Sequence, residues 1–344
     1  MSGATWTPFV EQCVDAGLQV DTNVAMAQRT TYGVGGSAAV VVVVHSESDA
    51  LALSNAVAQC QVENIVVVGR GSNVLVSDEG FDGVVVLLGA VSPDSAVSVE
   101  GDVVQAGGSV LMPVLARRSV GAGRGGLEWC VGIPGTVGGA VRMNAGGHGA
   151  EMIDNLINAR VVSLKSGKVC DVANADLGMH FRGSALSQHH VVLSARFQTS
   201  NIAPEEGTAT INSVVAWRRE HQPGGRNAGS VFVNPAQGEG SAGALIDAAA
   251  LRGYSRGGAS VSEKHANFIQ ASDNATAADV VAVMSDVQQK VFEVHGIMLR
   301  SEVVLVGFDE RIADQFSDLR HSALEQNDAR AHLSKLLGDG DEQF

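Results

Sequence analysis

The stretch Ile65-Val66-Val67-Val68-Gly69-Arg70-Gly71-Ser72-Asn73 decides the fold class of this chain. Its four β-branched residues indicate a buried strand, and the glycines after them indicate a tight turn. Glycine has no Cβ, so backbone N–H groups in this turn can approach a ligand closely, while Ser72 and Asn73 add side-chain donors. These are the parts of a pyrophosphate cradle, although an ordinary tight turn would have the same spacing.

The sequence around this turn predicts a unit of mixed α and β structure. Ala39 to Val44 indicates a second buried strand, and Ser46 is placed to cap a helix that runs through Gln59. A further strand from Val84 to Leu88 gives a β-α-β-β order. We therefore expect a first domain that spans residues 1–90.

A second unit is expected over residues 91–205. It begins with a hairpin that turns at Gly101-Asp102, and it ends with a strand from His190 to Phe197. The polar stretch from Thr199 to Gly207 separates it from the next unit. No internal repeat is visible in either half of the chain.

A third unit is expected over residues 206–308, with helical periodicity from Ala242 to Leu251 and again from Thr276. Thr276 and Asp279 have the spacing of a capping box. Residues 309–344 differ, because sparse leucines lie among charged residues without a strand pattern. We expect this polar tail to be a surface helix or partly disordered, and to carry no chemistry.

Composition limits the classes of function. The chain has 344 residues, of which 45% are hydrophobic and 17% charged, so it can bury a large core divided over two or three units. Its formal net charge of −14 argues against a nucleic-acid-binding surface, which needs basic residues. An anionic small ligand needs only local N–H groups and one or two arginines, so that class remains open.

The cysteines and apolar runs indicate a cytoplasmic protein. The four cysteines are widely spaced and form no C-x-x-C pair, so we expect reduced thiols, with neither disulfides nor a metal site. The longest apolar run, Ala38 to Val44, is far shorter than the roughly 20 residues of a membrane span. We expect no membrane insertion, no nucleic-acid partner and a monomer.

Other glycine clusters in the sequence are further candidates for a nucleotide-binding site. Gly121 to Gly126 matches G-x-G-x-x-G, but it follows a helical pattern and no helix is predicted after it, so a Rossmann site is not expected. The P-loop pattern is absent from the sequence. Gly132 to Gly139 and Asn144 to Gly147 resemble the first cradle in composition. Small-residue clusters on two units suggest a long, phosphate-bearing cofactor between them.

Five motifs, in order between about residues 20 and 308, resemble the UDP-N-acetylenolpyruvoylglucosamine reductase family. They are Thr30-Thr31-Tyr32 with Gly35-Gly36, Val68 to Val76, Gly126 to Ala140, Asn227 to Pro235, and Ser262 to Ile269. The resemblance implies an α+β fold, in which a two-domain FAD-binding module of the vanillyl-alcohol-oxidase type is followed by a C-terminal α+β substrate domain. It also implies non-covalent FAD, with NADPH as co-substrate.

The resemblance further implies which residues contact the ligands. The expected cofactor-binding residues are Tyr32, Gly69, Arg70, Gly71, Ser72, Asn73, Val74, Gly132, Ile133, Pro134, Gly135, Thr136, Gly138, Gly139, Asn144 and Gly146. The expected substrate-binding residues are His221, Asn227, Asn234, His265 and Asn267.

The implied reaction reduces the enolpyruvyl ether of UDP-N-acetylglucosamine to UDP-N-acetylmuramate during peptidoglycan precursor synthesis. Reduced flavin gives a hydride to the terminal methylene carbon, and the central carbon then needs a proton. Arg182 matches the family's carboxylate-polarising arginine, Ser230 its proton donor, and Glu302 a glutamate that could act as an acid on the developing enediolate.

Three positions depart from the family pattern. Phe181 stands where a tyrosine is frequent, Gly33 where a basic residue is common, and His221 where a lysine is frequent. The short segment between Arg182 and Ser230 resembles the version of the family that lacks a Tyr-bearing substrate loop. Two alternatives stay open: another FAD oxidoreductase of this fold acting on a sugar, and a non-catalytic sugar-nucleotide-binding protein.

Overall fold

The computed structural model describes residues 6–89, 97–236, 238–317 and 323–339. Its elements surround three large apolar cores, one for each expected unit, and a smaller fourth core lies on the other face of the first sheet. No helix in these ranges combines the length and apolar character needed to cross a membrane.

The first unit is a four-stranded sheet with helices beside it. Its elements are α1 (Thr7–Asp15), β1 (Gln19–Ala25), β2 (Ser37–Val44), α2 (Glu47–Cys60), β3 (Ile65–Val68), β4 (Val74–Val76) and β5 (Phe81–Leu88). The strand order is β1-β2-β5-β3, with β1 antiparallel to β2 and the other pairs parallel. The predicted strands and the helix capped by Ser46, whose Oγ accepts from Asp49 N, are confirmed.

The second unit contains a five-stranded antiparallel sheet. Its elements are β6 (Val97–Glu100), β7 (Val103–Gly107), α3 (Met112–Gly121), β8 (Arg124–Gly125), α4 (Val137–Arg142), β9 (Gly146–Gly147), β10 (Ala150–Glu151), α5 (Met152–Asn155), β11 (Leu156–Ser163), β12 (Val169–Ala173), β13 (His190–Gln198), β14 (Ser200–Asn201) and α6 (Pro204–His221). The sheet order is β12-β11-β13-β7-β6. The hairpin and the strand from His190 are confirmed.

Helix α6 was not predicted. It begins at Pro204, inside the stretch that we interpreted as a polar separator, and continues for 18 residues. Ile211 and Val214 are buried in the core of the second unit, and Gly207 packs closely on Val120 of α3. Few apolar residues line this helix, so periodicity gave a weak signal. The domain boundary at residue 205 therefore remains a prediction, with α6 lying against the second unit.

The third unit packs two helices against a small sheet. Its elements are α7 (Ala242–Ala248), β15 (Ser255–Arg256), β16 (Ala259–Val261), β17 (Ile269–Ala271), α8 (Ala277–His295) and β18 (Val304–Val306). Both predicted helices are confirmed, and Thr276 and Asp279 form the predicted capping box at the start of α8. Strand β18 leaves this unit and pairs in parallel with β4 of the first unit, which places Glu302 beside the first cradle.

The tail forms two helices, α9 (Glu310–Phe316) and α10 (Ala323–Leu337). Both segments are helical, as one of the two expectations had it, and α10 lies on the surface of the second unit with one face exposed and the other buried. Leu333 and Leu337 are fully buried in the core of the second unit, whereas Phe316 is buried in that of the third. The reason is that the second unit presents an apolar surface on which the sparse leucines of the tail pack.

A buried polar cluster joins the end of the tail to the second unit. Asp339 accepts hydrogen bonds from Ser163 Oγ, from His190 Nε2 at 2.7 Å and from His189 Nε2 at 3.4 Å. Ser187 N donates to His190 Nδ1 at 2.9 Å, so the neutral imidazole carries its proton on Nε2, facing Asp339. Burial raises the pKa of Asp339, but these hydrogen bonds outweigh it and hold the pKa well below its usual range.

Candidate active site

One deep cleft lies where the three units meet. Its wall combines the turn between β3 and β4, the segment that leads into α4, residues of α6, the segment around Ser230, and Glu302 before β18. The cleft contains about 1300 Å³ of empty space, counting its open mouth. A cleft of this size between units is where a cofactor and a substrate are expected to meet.

The glycine turns predicted to cradle a cofactor form part of this wall. A Cβ on Gly69 would lie 2.4 Å from Thr136 Oγ1, so the two turns approach too closely for any side chain. Thr136 itself caps α4 by accepting from Gly139 N. Gly71 has a φ of +65°, and a Cβ there would lie 2.2 Å from the carbonyl oxygen of Arg29. Glycine is therefore required at both positions by close packing against neighbouring segments of the protein.

Hydrogen bonds connect the first cradle to the third unit. Asn73 Nδ2 donates to the carbonyl oxygen of Glu302 at 2.9 Å. Thr31 donates from its backbone N to Gly71 O at 3.0 Å and from its Oγ1 to Asn227 O at 2.7 Å. The cofactor cradle and the proposed catalytic segments are thus held together by side-chain donors that bind main-chain carbonyl oxygens.

Arg182 lies at the tip of a four-residue turn. His180 and Gly183 exchange two backbone hydrogen bonds, at 3.0 and 3.1 Å, and the turn between them contains Phe181 and Arg182. Arg182 has a φ of +60°, a conformation that normally favours glycine in turns of this kind. Such strain in a residue other than glycine costs about 1–3 kcal/mol and is typical of functional sites.

The guanidinium of Arg182 is held on three sides. Nη1 lies 3.1 Å from Glu151 Oε1, Nη2 donates to Gly146 O at 3.1 Å, and Nε lies 3.3 Å from Glu302 Oε1. The group also lies 4.6 Å from the centre of the Phe181 ring. Its side chain is 19% exposed, which leaves room for an anion from the cleft.

Glu302 is an acid with an unusual environment. Its side chain is 20% exposed, and burial raises its pKa to about 7, against the opposing effect of Arg182 and Arg300. A carboxyl group with this pKa still carries its proton in about half of the molecules at pH 7 and in most of them below that pH. It can therefore donate a hydrogen bond where an ordinary carboxylate could only accept one.

Ser230 lines the same cleft, at the end of a shaped turn. Asn227 Oδ1 accepts from Gly229 N at 3.0 Å, and Gly229 has a φ of +76°. Asn267 then brackets the backbone of Phe232, accepting from its N at 2.9 Å and donating to its O at 2.8 Å. Within the described residues, the Ser230 hydroxyl has no hydrogen-bond partner, so it is available to a ligand.

Most of the predicted site residues lie in the wall of the cleft. They are Gly69, Arg70, Gly71, Ser72, Asn73, Val74, Gly132, Ile133, Pro134, Gly135, Thr136, Gly139, Gly146, Arg182, Ser230, Asn234, Asn267 and Glu302. Their individual roles stay predictions.

Three predicted cofactor residues lie outside the wall. Tyr32 is fully buried in the core of the third unit, and its hydroxyl is buried without a described partner. Gly138 packs against the backbone of Gly108 and Val192. Asn144 is 1% exposed, and it binds protein groups through both side-chain atoms.

Three predicted substrate residues also lie outside it. Asn227 shapes the turn before Ser230, as described above. His221 stacks on Trp217 with ring centres 4.5 Å apart. His265 lies edge-on to Phe268, and burial, together with Arg252, lowers the pKa of its imidazole.

Sequence reasoning missed three polar residues of the wall, Arg142, Arg218 and Gln222. Arg142 Nε is buried and has no hydrogen-bond partner in the described part of the chain. Arg218 Nε donates to Gln222 Oε1 at 2.7 Å, and burial lowers the pKa of Arg218. The basic residues at the end of α6 were the available signal, but that helix had not been predicted.

These residues fit an anionic dinucleotide cofactor. The buried Nε of Arg142 is a donor without an acceptor among the described groups, and Arg142 lines the cleft together with the glycine turns. Phosphate oxygens would satisfy such donors. FAD would be held by the turns around Gly69 and Gly135, which lie next to each other in the wall of the cleft.

Two family profiles match the chain. One is described as the C-terminal domain of UDP-N-acetylenolpyruvoylglucosamine reductase and matches residues 221–306. The other is described as an FAD binding domain and matches residues 38–173. The residues of α9 and α10 lie outside both matches.

Individual proteins are similar over most of the chain. A UDP-N-acetylenolpyruvoylglucosamine reductase from Synechococcus sp. (strain RCC307) is 39% identical over 297 residues, covering 86% of this chain and 96% of that protein. One from Paramagnetospirillum magneticum is 39% identical over 284 residues, covering 82% and 90%. The crystal structure of the Thermus caldophilus UDP-N-acetylenolpyruvylglucosamine reductase aligns with a TM-score of 0.70 and 30% identity, over 84% of this chain and 98% of that one.

Proposed function

Because the chain belongs to the UDP-N-acetylenolpyruvoylglucosamine reductase family, we infer that its cleft reduces the enolpyruvyl ether of UDP-N-acetylglucosamine to UDP-N-acetylmuramate. The protein is an FAD-dependent oxidoreductase of peptidoglycan synthesis, with NADPH as its co-substrate. Its fold is a vanillyl-alcohol-oxidase type FAD module with a C-terminal α+β domain. The observation that supports our assignment of the reacting residues is that Arg182, Ser230 and Glu302 line one cleft beside the glycine cradle.

The reaction sets the requirements that these residues must meet. The chemistry that FAD supplies when bound is the relay of reducing equivalents from NADPH to the enolpyruvyl double bond. As that bond is reduced, negative charge moves onto the carboxylate side of the substrate, and the central carbon must gain a proton. The site therefore needs a cation, a hydrogen-bond donor for the enediolate and a proton donor.

We assign the cation to Arg182. Arginine stays charged at every relevant pH and can bind a carboxylate through two N–H groups. The three contacts described above hold its guanidinium in the cleft before substrate arrives. The charge is thus oriented without a reorganisation cost during the reaction.

We assign the proton donor to Ser230 and the enediolate donor to Glu302. A serine hydroxyl is a very weak acid, so it can protonate only a strongly basic carbon held against it. Glu302 stabilises the enediolate as it forms by donating a hydrogen bond to its oxygen, and Ser230 then protonates the central carbon. Both groups line the cleft, and Glu302 lies next to Arg182 at 3.3 Å.

One assay separates this function from the two alternatives. The purified protein should be yellow and should release its flavin on acid precipitation, because the FAD is non-covalent. Beyond the one equivalent that reduces the flavin, NADPH should then be oxidised only when the enolpyruvyl sugar nucleotide is added, and the lactyl ether should form in equal amount. If the protein binds flavin but turns over a sugar that has no enolpyruvyl group, it is another oxidoreductase of this fold. Failure to bind FAD after reconstitution would leave a non-catalytic binding protein.

We also propose that the enzyme works as a cytoplasmic monomer, in three domains bounded near residues 90, 205 and 308. The four free cysteines agree with a reducing compartment. Light scattering after gel filtration measures the mass, and 35.5 kDa is the expected value. Twice that mass would exclude the monomer.

A further inference from the structure

A second carboxylate contacts the guanidinium of Arg182 on the side opposite the proposed acid. Glu151 Oε1 accepts from Arg182 Nη1 at 3.1 Å, and Glu302 Oε1 lies 3.3 Å from Nε. The side chain of Glu151 is 30% exposed and does not contribute to the wall of the cleft. Its position next to the arginine is therefore not explained by contact with a ligand.

Glu151 is held in place by a residue that also holds the turn of Arg182. Asn144 Nδ2 donates to Glu151 Oε2 and to the carbonyl oxygen of His180, both at 3.0 Å. Its Oδ1 accepts from Ile153 N at 3.0 Å, and its backbone has a φ of +39°. Because the amide is buried with these partners, it sets the distance between Glu151 and the turn.

The arginine carries one positive charge and has two acidic neighbours. Without Glu151, Glu302 would be the one carboxyl group within 4 Å of Arg182 among the described residues, and the positive charge of Arg182 would favour ionisation of Glu302. Arg300 also favours ionisation of Glu302, and Arg70, Arg142 and Arg218 are the further cations in the wall of the cleft. Burial of Glu302 acts in the opposite direction and raises its pKa to about 7.

We propose that Glu151 is a positioning residue: it fixes the guanidinium of Arg182 and supplies the counter-charge that Glu302 would otherwise supply, so that the carboxyl group of Glu302 stays protonated for the substrate. This role rests on the proposed function, since it matters only if Glu302 donates a hydrogen bond during reduction of the enolpyruvyl group. Glu151 itself touches neither the substrate nor the cofactor. Asn144 was expected from the sequence to bind FAD. In this proposal its role is to orient Glu151.

The decisive variant is Glu151→Gln, which keeps the shape of the side chain and removes its charge. Holoenzyme reduced with NADPH is mixed with the enolpyruvyl sugar nucleotide in a stopped-flow instrument, and flavin reoxidation is followed from pH 5 to pH 9. In the wild type the rate should fall above about pH 7, as Glu302 ionises. In Glu151→Gln this fall should begin at least one pH unit lower, so that the variant is about tenfold slower at pH 8 and within about twofold of wild type at pH 5.

The matched control is Asp154→Asn, three residues along the same segment. Asp154 binds the backbone N of Glu151 and has no described contact with Arg182, so this variant should keep the wild-type pH profile. The double variant Glu151→Gln/Glu302→Gln should show no pH-dependent fall that is absent from Glu302→Gln alone. Both comparisons separate the loss of the Glu151 charge beside Arg182 from a local disturbance of the fold.

A second measurement requires no turnover. In protein labelled with ¹³C-carboxyl glutamate, the resonance that disappears in Glu302→Gln should titrate near pH 7, and in Glu151→Gln at least one unit lower. If Glu151→Gln does not keep its fold, Glu151→Asp retains the charge and should leave this titration unchanged. A uniform slowing at all pH values, or an unshifted resonance, would overturn the proposal. Absence of reoxidation in the wild type would instead overturn the proposed function.

Discussion

At position 182 an arginine adopts a backbone conformation that turns usually reserve for glycine. The strain has a structural cause, since the turn aims the guanidinium between Glu151, Gly146 and Glu302. A residue with ordinary φ would direct its side chain elsewhere. The identity of the arginine could be predicted from its motif, but its conformation and its two carboxylate partners could not.

The variant Ser230→Ala tests the assignment of Ser230 as the proton donor. The variant should be reduced by NADPH at the wild-type rate, because that step involves nicotinamide and flavin alone. Reoxidation by the enolpyruvyl substrate should slow by about 10²–10⁴, the range of general-acid catalysis. Stopped-flow absorbance at the flavin band separates the two steps. Equal slowing of both steps would mean that Ser230 positions ligands, and no slowing would mean that the proton comes from another group.

Gly69→Ala tests the close approach of the two cradles. The new Cβ would lie 2.4 Å from Thr136 Oγ1, so one turn must move away from the other. We expect the FAD content after purification to fall at least tenfold. Gly121→Ala is the matched control, because a Cβ there meets nothing within 4 Å and the residue ends α3. Normal flavin content in Gly69→Ala would show that the cradle adapts without loss of binding.

Helix α10 has a buried face although its sequence shows little hydrophobic periodicity. Its hydrophobic residues are few, yet Leu333 and Leu337 are fully buried between α10 and the second unit. Gly178 lies under Ala329, where a Cβ would come within 2.6 Å of the alanine methyl group. Helix α10 therefore packs closely on the segment that follows β12.

Leu333→Ala should consequently destabilise the protein by about 2–5 kcal/mol, the usual cost of emptying a packed site. Lys335→Ala, on the exposed side of the same helix, should change the free energy of unfolding by less than about 0.5 kcal/mol. Chemical denaturation followed by circular dichroism measures both. Equal stability of the two variants would mean that α10 does not dock in solution as it does in the structure.

Across the whole molecule, the site exists only where the three units meet. Strand β18 crosses from the third unit to pair with β4, and Asn73 binds the backbone of Glu302. The tail adds another connection, since Phe316 packs in the third core and Leu333 in the second. A ligand that contacts residues of all three units should therefore stabilise the whole molecule against unfolding.

Removal of FAD tests this coupling. FAD at 100 times its dissociation constant should stabilise the native protein by about 2.7 kcal/mol, and its removal should lower the melting temperature accordingly. Calorimetry of the holoprotein, the stripped protein and the reconstituted protein measures the shift. FMN lacks the adenylate half of FAD and serves as the control ligand. It should restore only part of the lost melting temperature. An unchanged melting temperature would contradict binding between the units.

Local sequence signals predicted much of the fold. The runs that became β2, β3 and β5 are continuous and β-branched, and the caps at Ser46 and Thr276 act within one helical turn. Strand β1, helix α6 and the burial of α10 were missed or misjudged. Their apolar residues are sparse, so their stability depends on surfaces that lie far away in sequence.

The same division holds for the site. Sequence by itself determined which chemical groups are present: two glycine cradles, an arginine, a serine and a glutamate, each inside a short motif. Only the tertiary structure decided which side chains face the cleft, because side-chain direction depends on packing between units. It turned Tyr32 into the third core, and it placed Glu151 against Arg182. A pKa set by burial, such as that of Glu302, likewise exists only after the chain has folded.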